Sequence, residues 1–188
     1  MSPMRTGAAC TVLLAAVLGT AGCVVEVPLP SERSTTAAPT LDEQPDLPAE
    51  ADAPSAVEAD IEDRVFALAN DARDEEGVGP LERHDGLDAV ARRWSQYLAQ
   101  EGLELAHNPG VADQVPEGWR AVGENVGWLD DGGVLDVEEV ADRVHEGWME
   151  SPGHRENLLR EDYTHLGVGV SHDPEHGYYL TQNFATYP

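Results

Sequence analysis

Three polar side chains stand just outside segments of regular apolar spacing, and their types could do chemistry together. His107 follows the second such segment, Glu124 lies in the sequence Gly-Glu-Asn-Val-Gly, and His154 occupies the third position of a short helical segment that Ser151 precedes. Because the N-terminal end of a helix disfavours a positive charge, we expect His154 to carry a neutral imidazole that can ligate a metal or act as a base.

Two interpretations of these residues stay open at this level. Two histidines and one glutamate are the ligand set of an open zinc site, so zinc or another divalent cation is the cofactor that a functional site would take. In the structural interpretation, His154 forms a hydrogen bond across the fold and Glu124 accepts from nearby backbone amides. No other cofactor is expected.

Motifs of the common nucleotide-binding and hydrolytic enzymes are absent from the sequence. There is no G-x-S-x-G elbow, no Walker loop and no G-x-G-x-x-G, and the segment H-E-G-W-M at 145–149 lacks the second histidine of H-E-x-x-H. Ser151 and His154 stand three residues apart, as a nucleophile and its base could. A serine followed by proline at a helix start is, however, typical of a cap.

The elements that must position these residues begin with two helices. Ser55 and Glu58 form a capping-box pattern, and the helix they start ends before the breaker run G-V-G-P at 77–80. Asp85 is the predicted cap of a second helix, which Gly102 ends.

Two further helices and a pair of strands complete the prediction. Asp136 opens a third helix, and Ser151 starts a fourth, which runs through Leu159. The Gly- and Pro-rich stretch 106–133 is interpreted as a loop. Strand-like runs at 166–171 and 178–184 form a predicted hairpin. Helices first and paired strands last indicate an α+β domain built in layers.

The composition excludes several classes of protein. With 36 Asp and Glu against 11 Lys and Arg, the net charge is -25, which repels nucleic acid and anionic membrane surfaces as main partners. A chain of 188 residues with 41% hydrophobic residues suits one globular domain with tails, and two cysteines are too few for a disulfide scaffold.

Residues 1–22 have the pattern of a secretory signal of the lipoprotein type. An early arginine precedes the apolar run 8–19, and small residues stand directly before Cys23. This arrangement resembles the bacterial lipoprotein processing box, although Thr20 replaces the usual leucine. We expect Cys23 to be lipidated and to anchor the chain in the bacterial cell membrane. An ordinary secreted protein is the alternative.

Residues 23–54 comprise this cysteine and a predicted disordered tether. The part after Cys23 contains six prolines and no apolar periodicity, so it cannot bury enough surface to offset its ordering entropy. The folded domain is predicted at 55–188, and it contains no cysteine.

Five segments are recognisable as a set: A-H-N at 106–108, G-E-N-V at 123–126, W-M-E-S-P-G-H-R-E-N-L-L at 148–159, L-G-V-G at 166–169 and Y-Y-L-T-Q-N-F at 178–184. In that order they resemble the CAP superfamily, also called SCP, of cysteine-rich secretory proteins, antigen 5 and pathogenesis-related 1. The likeness covers 57–187 and is to the bacterial branch without cysteines. It implies a three-layer α-β-α sandwich with an antiparallel sheet between helical layers.

The resemblance also implies a large central cavity lined by two histidines and two acidic residues. His107, Glu124 and His154 match three of these positions. The remaining acidic position holds Ser151 in this sequence, and its neighbour Glu150 could substitute. Members of the family are linked to divalent metals and to binding of sterols or other lipids, and proteolysis is claimed for a few.

We therefore expect an extracytoplasmic, membrane-anchored binding module for a small or lipid-like ligand or a divalent metal. His107 and His154 would coordinate the metal, and Glu124 would support them. The alternative is a metal-dependent hydrolase of cell-envelope or peptide substrates, in which Glu124 or Glu150 serves as the base. A third interpretation is a passive envelope or interaction protein, in which the residues at these four positions only stabilise the sheet.

Overall fold

A computed structural model describes residues 45–130 and 135–188. The predicted signal, Cys23 and most of the predicted tether lie outside the described residues. Within these two ranges no helix has both the length and the apolar character needed to cross a membrane. The elements in chain order are α1 (Ala56–Glu75), β1 (Glu82–Arg83), α2 (Asp85–Gln100), α3 (Val111–Gln114), β2 (Val122–Leu129), α4 (Val137–Glu150), α5 (Pro152–Leu159), β3 (His165–Asp173) and β4 (Gly177–Ala185).

Local hydrogen bonds start the helices close to where the sequence predicts them. At α1 the backbone N–H of Glu58 donates to Ser55 Oγ, and the N–H of Ser55 donates to Glu58 Oε2 at 2.7 Å, so the capping box is confirmed. Asp136 caps α4 by accepting from the N–H of Glu139 at 2.8 Å. Ser151 occupies the N-cap position of α5, but its side chain makes no capping hydrogen bond.

The predicted cap of α2 is wrong by one residue. Asp85 is the first residue of the helix, and His84 is the cap, because its Nδ1 accepts from the N–H groups of Gly86 and Leu87 at 3.1 and 3.3 Å. The imidazole is held in place by stacking on Tyr187, with ring centroids 5.0 Å apart. This contact joins the helix start to the far end of the chain, which local sequence patterns do not reveal.

A four-stranded sheet forms the middle layer, in the order β1-β3-β4-β2. The predicted hairpin is confirmed: β3 and β4 pair antiparallel from His165 opposite Ala185 to Asp173 opposite Gly177. β2 pairs antiparallel with β4, and the two-residue β1 pairs parallel with the start of β3. The sheet is thus antiparallel apart from this short parallel addition.

The loop interpretation of 106–133 is wrong where β2 lies. Glu124 and Asn125 are buried in this strand although they are polar. The strand sequence V-G-E-N-V-G-W-L contains neither an apolar run nor a regular alternation of apolar and polar residues, so it lacks the usual pattern of a strand. The short helix α3 lies in the same stretch.

Helices cover both faces of the sheet, which confirms the three-layer sandwich. On one face, a core cluster joins α1, α4 and α5 to alternate residues of β3 and β4 such as Val168 and Leu180. On the other face, Trp94 and Leu98 of α2 pack with Val126 and Tyr179.

Two glycines of β3 set how closely α2 approaches the sheet. A Cβ placed at Gly167 would lie 2.2 Å from the carbonyl carbon of Leu87, and one at Gly169 would lie 2.1 Å from the backbone nitrogen of Arg92. The backbone of α2 therefore rests directly on these residues, and any side chain there would push the helix away.

The described end of the predicted tether contacts this helix. Gln96 pairs with the backbone of Asp52 as a neighbouring strand would, accepting from its N–H and donating to its carbonyl, each at 3.0 Å. Arg93 donates to the carbonyl of Ala49 at 3.1 Å, and Leu47 packs against the Trp94 cluster. Residues 45–54 thus lie along the outside of α2.

Candidate functional site

The segment after α2 places His107. Gly102 takes a positive φ of 58° as the helix ends, and Leu103 turns inward. The indole N–H of Trp94 then donates to the carbonyl of Ala106 at 2.8 Å, which fixes the residue immediately before His107. The side chain of His107 is 60% exposed, so the site is open to solvent on this side.

Edge strand β2 supplies Glu124, whose side chain is only 4% exposed. One carboxylate oxygen, Oε1, contacts His107 Nδ1 at 2.8 Å and accepts from the backbone N–H of Asn108 at 2.9 Å. The other oxygen, Oε2, is buried and has no hydrogen-bond partner. The carboxylate therefore orients His107 and keeps one acceptor available.

Helix α5 brings His154 to the same place from the opposite layer. Its ring centroid lies 6.4 Å from that of His107, and its Nδ1 is buried without a partner. Asn125 Nδ2 donates to the carbonyl of His154 at 3.1 Å, and Asn157 Nδ2 donates to the carbonyl of Glu124 at 3.1 Å. These two amides join the start of α5 to the outer edge of β2.

The structure brings three of the predicted residues together, and the fourth position holds Ser151. Ser151 is buried where α4 meets α5. Glu150, the suggested substitute, is exposed and lines a surface depression with Met149, Pro152 and Arg155.

Three asparagines belong to this region although sequence reasoning did not select them. Asn125 and Asn157 form the bonds described above, and Asn183 lies directly opposite Glu124 on β4. Asn183 is 0% exposed, and neither its Oδ1 nor its Nδ2 has a partner. All three fall inside the recognised motifs. Their side chains are not ionisable, so a search for titratable residues does not select them.

The pKa values of the two imidazoles are shifted in opposite directions. The hydrogen bond to Glu124 raises the pKa of His107 above its ordinary value, whereas burial, aided by the nearby His107 charge, lowers the pKa of His154. Burial raises the pKa of Glu124, with the His107 hydrogen bond acting against it. The site therefore places a ring with a raised pKa beside a ring with a lowered pKa, and for His154 the main cause is burial.

The residues fit a divalent cation only in part. His107 contacts the carboxylate through Nδ1, the usual outer-shell arrangement for a metal-binding histidine, which leaves Nε2 free. Two imidazole donors are one fewer than the three protein ligands of a typical open zinc site. Across 45–130 and 135–188, no group of three or more His, Cys, Asp or Glu side chains is arranged to hold a metal ion.

A cavity in the described part of the chain lies away from this site. It has a volume of about 580 Å³ and is bounded by residues 49–54, the first half of α2 and Pro116. None of the three site residues lines it. The candidate site lies at the β2 edge of the sheet, where the side chain of His107 is exposed to solvent.

This architecture and these motifs define a known class of protein. Residues 66–184 match the family described as CAP, the cysteine-rich secretory protein family. The match covers more than half of the chain, and the chain belongs to this family. Both of its cysteines precede residue 45, so the domain is of the cysteine-free kind found in bacterial members.

Similar proteins occur in other bacteria. The chain is 30% identical over 138 residues to the uncharacterized protein YkwD of Bacillus subtilis, a match that covers 70% of this chain and 49% of YkwD. It is 27% identical, with a TM-score of 0.55, to an extracellular SCP-domain protein of Bacillus anthracis, covering 71% of this chain and 45% of the other. This chain therefore spans about half of each.

An outer surface protein of Borrelia burgdorferi shares the fold alone. The two chains are 16% identical with a TM-score of 0.58, and the match covers 71% of this chain and 97% of the other. The sandwich therefore persists where most of the residues differ.

Proposed function

We propose that this protein is an extracytoplasmic, membrane-anchored binding module that takes a small or lipid-like ligand or a divalent cation at the His107–Glu124–His154 site. One observation carries the proposal: buried polar atoms converge on this site without protein partners, Glu124 Oε2 and His154 Nδ1 among them. Leaving such atoms unpaired costs about 1 to 3 kcal/mol each, so a fold retains them where another group completes their bonding.

The chemistry of the site favours a ligand with hydrogen-bond donors. Glu124 Oε2 accepts only, and His107 donates through its exposed face when it is protonated. A cation would be held by His107 Nε2 and His154, with the remaining coordination positions filled by water or by the ligand itself. When bound, such an ion would supply Lewis acidity.

Calorimetric titration of zinc into the domain tests the cation part of the proposal. We expect weak binding in the wild type and loss of the heat in both His107→Ala and His154→Ala. His145→Ala is the matched control, because His145 lies on α4 among charges of α1 and α4. Equal binding in all four proteins would contradict the assignment. If none of the four proteins releases or absorbs heat with zinc, the cation part of the proposal fails and only a small or lipid-like ligand remains.

A hydrolase is the second candidate, and the opposed proton affinities of His107 and His154 favour it. A ring with a lowered pKa beside a ring with a raised pKa offers a base and an acid within one site. Turnover of a peptidoglycan or peptide substrate that disappears in Glu124→Gln would support this function. Turnover that persists unchanged in Glu124→Gln would show that Glu124 takes no part in the hydrolysis.

The anchor and the location form a separate part of the proposal. The small residues before Cys23 support lipidation, and the similarity to an extracellular protein of Bacillus anthracis supports a position outside the cytoplasm. Cys23→Ser is expected to release the protein into the medium. Retention of this variant in the membrane fraction would contradict a lipid anchor.

A further inference from the structure

Helix α5 carries His154 but has few means of holding its own position. It is eight residues long, and isolated helices shorter than about 12 residues are marginal in water. The side chain of Ser151 makes no capping hydrogen bond at its start, and Leu158 is its only buried residue. Contacts with other elements must therefore determine where His154 lies.

The C-terminal end of α5 is held by Arg73 of α1. This side chain is almost completely buried and donates to the carbonyls of Leu158 and Arg160, each at 2.9 Å. A cation at the last carbonyls of a helix also interacts favourably with the helix dipole. A contact at one end leaves the tilt of the helix undetermined, so the end that carries His154 needs contacts of its own.

Two asparagines hold that end against β2 in a reciprocal arrangement. Asn125, the neighbour of Glu124, donates to the carbonyl of His154 at 3.1 Å. Asn157, three residues after His154, donates to the carbonyl of Glu124 at 3.1 Å. The two amides are joined to each other, because Asn157 Nδ2 also donates to Asn125 Oδ1 at 3.0 Å. Each segment thus supplies the amide that binds the backbone of the site residue in the other segment.

The form of β2 gives Asn157 access to the strand. Among the described strands β2 pairs only with β4, so its outer carbonyls are free to accept from side chains. A Cβ placed at Gly123 would lie 2.2 Å from Tyr163 Oη and 3.2 Å from Asn157 Oδ1. The missing side chain therefore leaves room for both groups. The segments G-E-N at 123–125 and H-R-E-N at 154–157 are thus the two halves of one contact.

We propose that Asn125 and Asn157 are positioning residues that hold His154 in its place in the site. They keep its ring centroid 6.4 Å from that of His107. Because they bind backbone carbonyls, they leave Glu124 Oε2 and His154 Nδ1 without partners and available to a ligand. The inference concerns the geometry of the site, and its consequence for ligand binding rests on the proposed function.

NMR titration of the histidine ring protons tests the positioning without any ligand. In Asn125→Leu and Asn157→Leu the start of α5 loses its contacts, and the pKa of His154 should rise towards 6.5. The reason is that burial and the nearby His107 charge, which lower this pKa, both decrease. The curve of His107 should stay the same, because its hydrogen bond to Glu124 is kept.

Two outcomes of this titration would overturn the proposal. The first is an unchanged His154 curve in the folded variants, and Asn157→Leu decides alone if Asn125→Leu does not fold. The second concerns the matched control Asn70→Leu. Asn70 donates to the carbonyl of Leu81 at 3.1 Å and accepts from its N–H at 2.8 Å, beside β1 at the opposite edge of the sheet. If this variant moved the His154 curve equally, general loss of stability would explain the effect.

Zinc titration separates a failure of the positioning from a failure of the proposed function. If the wild type binds zinc, Asn157→Leu should weaken the affinity about tenfold or more, as expected for a residue that orients a metal ligand. Asn70→Leu should bind as the wild type does. Wild-type affinity in Asn157→Leu would overturn the positioning. A wild type that binds no zinc would contradict the cation part of the proposed function, and the NMR titration would still decide the positioning.

Discussion

Two glutamates are buried at opposite edges of the sheet, and they differ in how their charge is compensated. Glu62, beside β3, is 1% exposed, pairs through both oxygens with Arg92 and accepts from the N–H of Val170. Glu124, in β2, receives both of its bonds on one oxygen and none on the other. Burial is the largest cause that raises the pKa of each carboxyl.

The difference separates two uses of the same side chain. The partners of Glu62 come from β1, α2 and β3, so its charge holds these elements to α1, and both of its oxygens have partners. Glu124 is paired only with a mostly exposed histidine and one backbone amide. A buried acceptor without a partner does not stabilise the fold, and this is the observation from which we propose a binding site at Glu124.

The largest effect is expected at Glu62. Glu62→Ala leaves Arg92 and the N–H of Val170 without their acceptor and should lower the free energy of unfolding by about 3 to 5 kcal/mol. Glu124→Gln should change it by less than about 1 kcal/mol, because the amide oxygen keeps an acceptor for Asn108. Urea denaturation measures both values. Equal losses in the free energy of unfolding would show that Glu62 and Glu124 do not differ in their contribution to stability.

Two fully buried asparagines sharpen the comparison. Asn125 donates to His154 and Gln182 and accepts from Asn157, whereas Asn183 has no side-chain partner. Asn125→Leu should therefore cost about 2 kcal/mol, while Asn183→Leu should be neutral or stabilising by up to about 1 kcal/mol. Thermal unfolding of the two variants provides the measurement. A larger loss for Asn183→Leu would show that its amide is already satisfied.

The two histidines of the site should titrate on opposite sides of the ordinary value of 6.5. The pKa of His107 is raised, so its stabilising contribution is complete below pH 6.5 and is lost as the pH rises through the folded-state pKa. The pKa of His154 is lowered, so stability is lost as the pH falls below 6.5 towards its folded-state pKa.

NMR titration of the ring protons resolves the two histidines. Glu124→Gln should move the pKa of His107 down towards 6.5, because the hydrogen bond to the carboxylate is the largest cause of its shift. His145, whose pKa is lowered by burial away from this site, should keep its titration curve in that variant. An unchanged titration curve of His107 in Glu124→Gln would show that the carboxylate does not cause the shift in the pKa of His107.

The smallest expected effect concerns the acidic surface that both edges share. The net charge of -25 produces mutual repulsion in the folded domain, which added salt screens. Raising sodium chloride from about 0.05 to 0.5 M should raise Tm by about 2 to 5 °C. Potassium chloride should raise Tm by the same amount. The dependence of Tm on salt concentration should be the same in Glu124→Gln. A fall in Tm would indicate that specific surface ion pairs outweigh the repulsion.

Local patterns predicted the helix starts and the hairpin well. The capping pairs at Ser55 and Asp136 involve residues three apart, and the β3–β4 turn joins neighbouring segments. Such contacts form within a few residues, so their signals are written in short stretches of sequence. The motifs likewise led to the correct family and to three residues that the fold places together.

The errors fall where distant residues decide the outcome. β2 was interpreted as loop because burial of Glu124 and Asn125 depends on partners from α5 and from the segment after α2. The choice of His84 over Asp85 as a cap depends on the contact of His84 with Tyr187, which is distant in the sequence.

The sequence by itself determined the types of the reactive groups, the starts of three of the four predicted helices and the family of the chain, because each is set by side-chain chemistry and short-range spacing. The tertiary structure alone decided which carboxylate is saturated and which keeps a free oxygen. Glu62 and Glu124 carry the same group, and both are buried. The difference between them arises from the arginines, amides and imidazole that folding brings within hydrogen-bond distance.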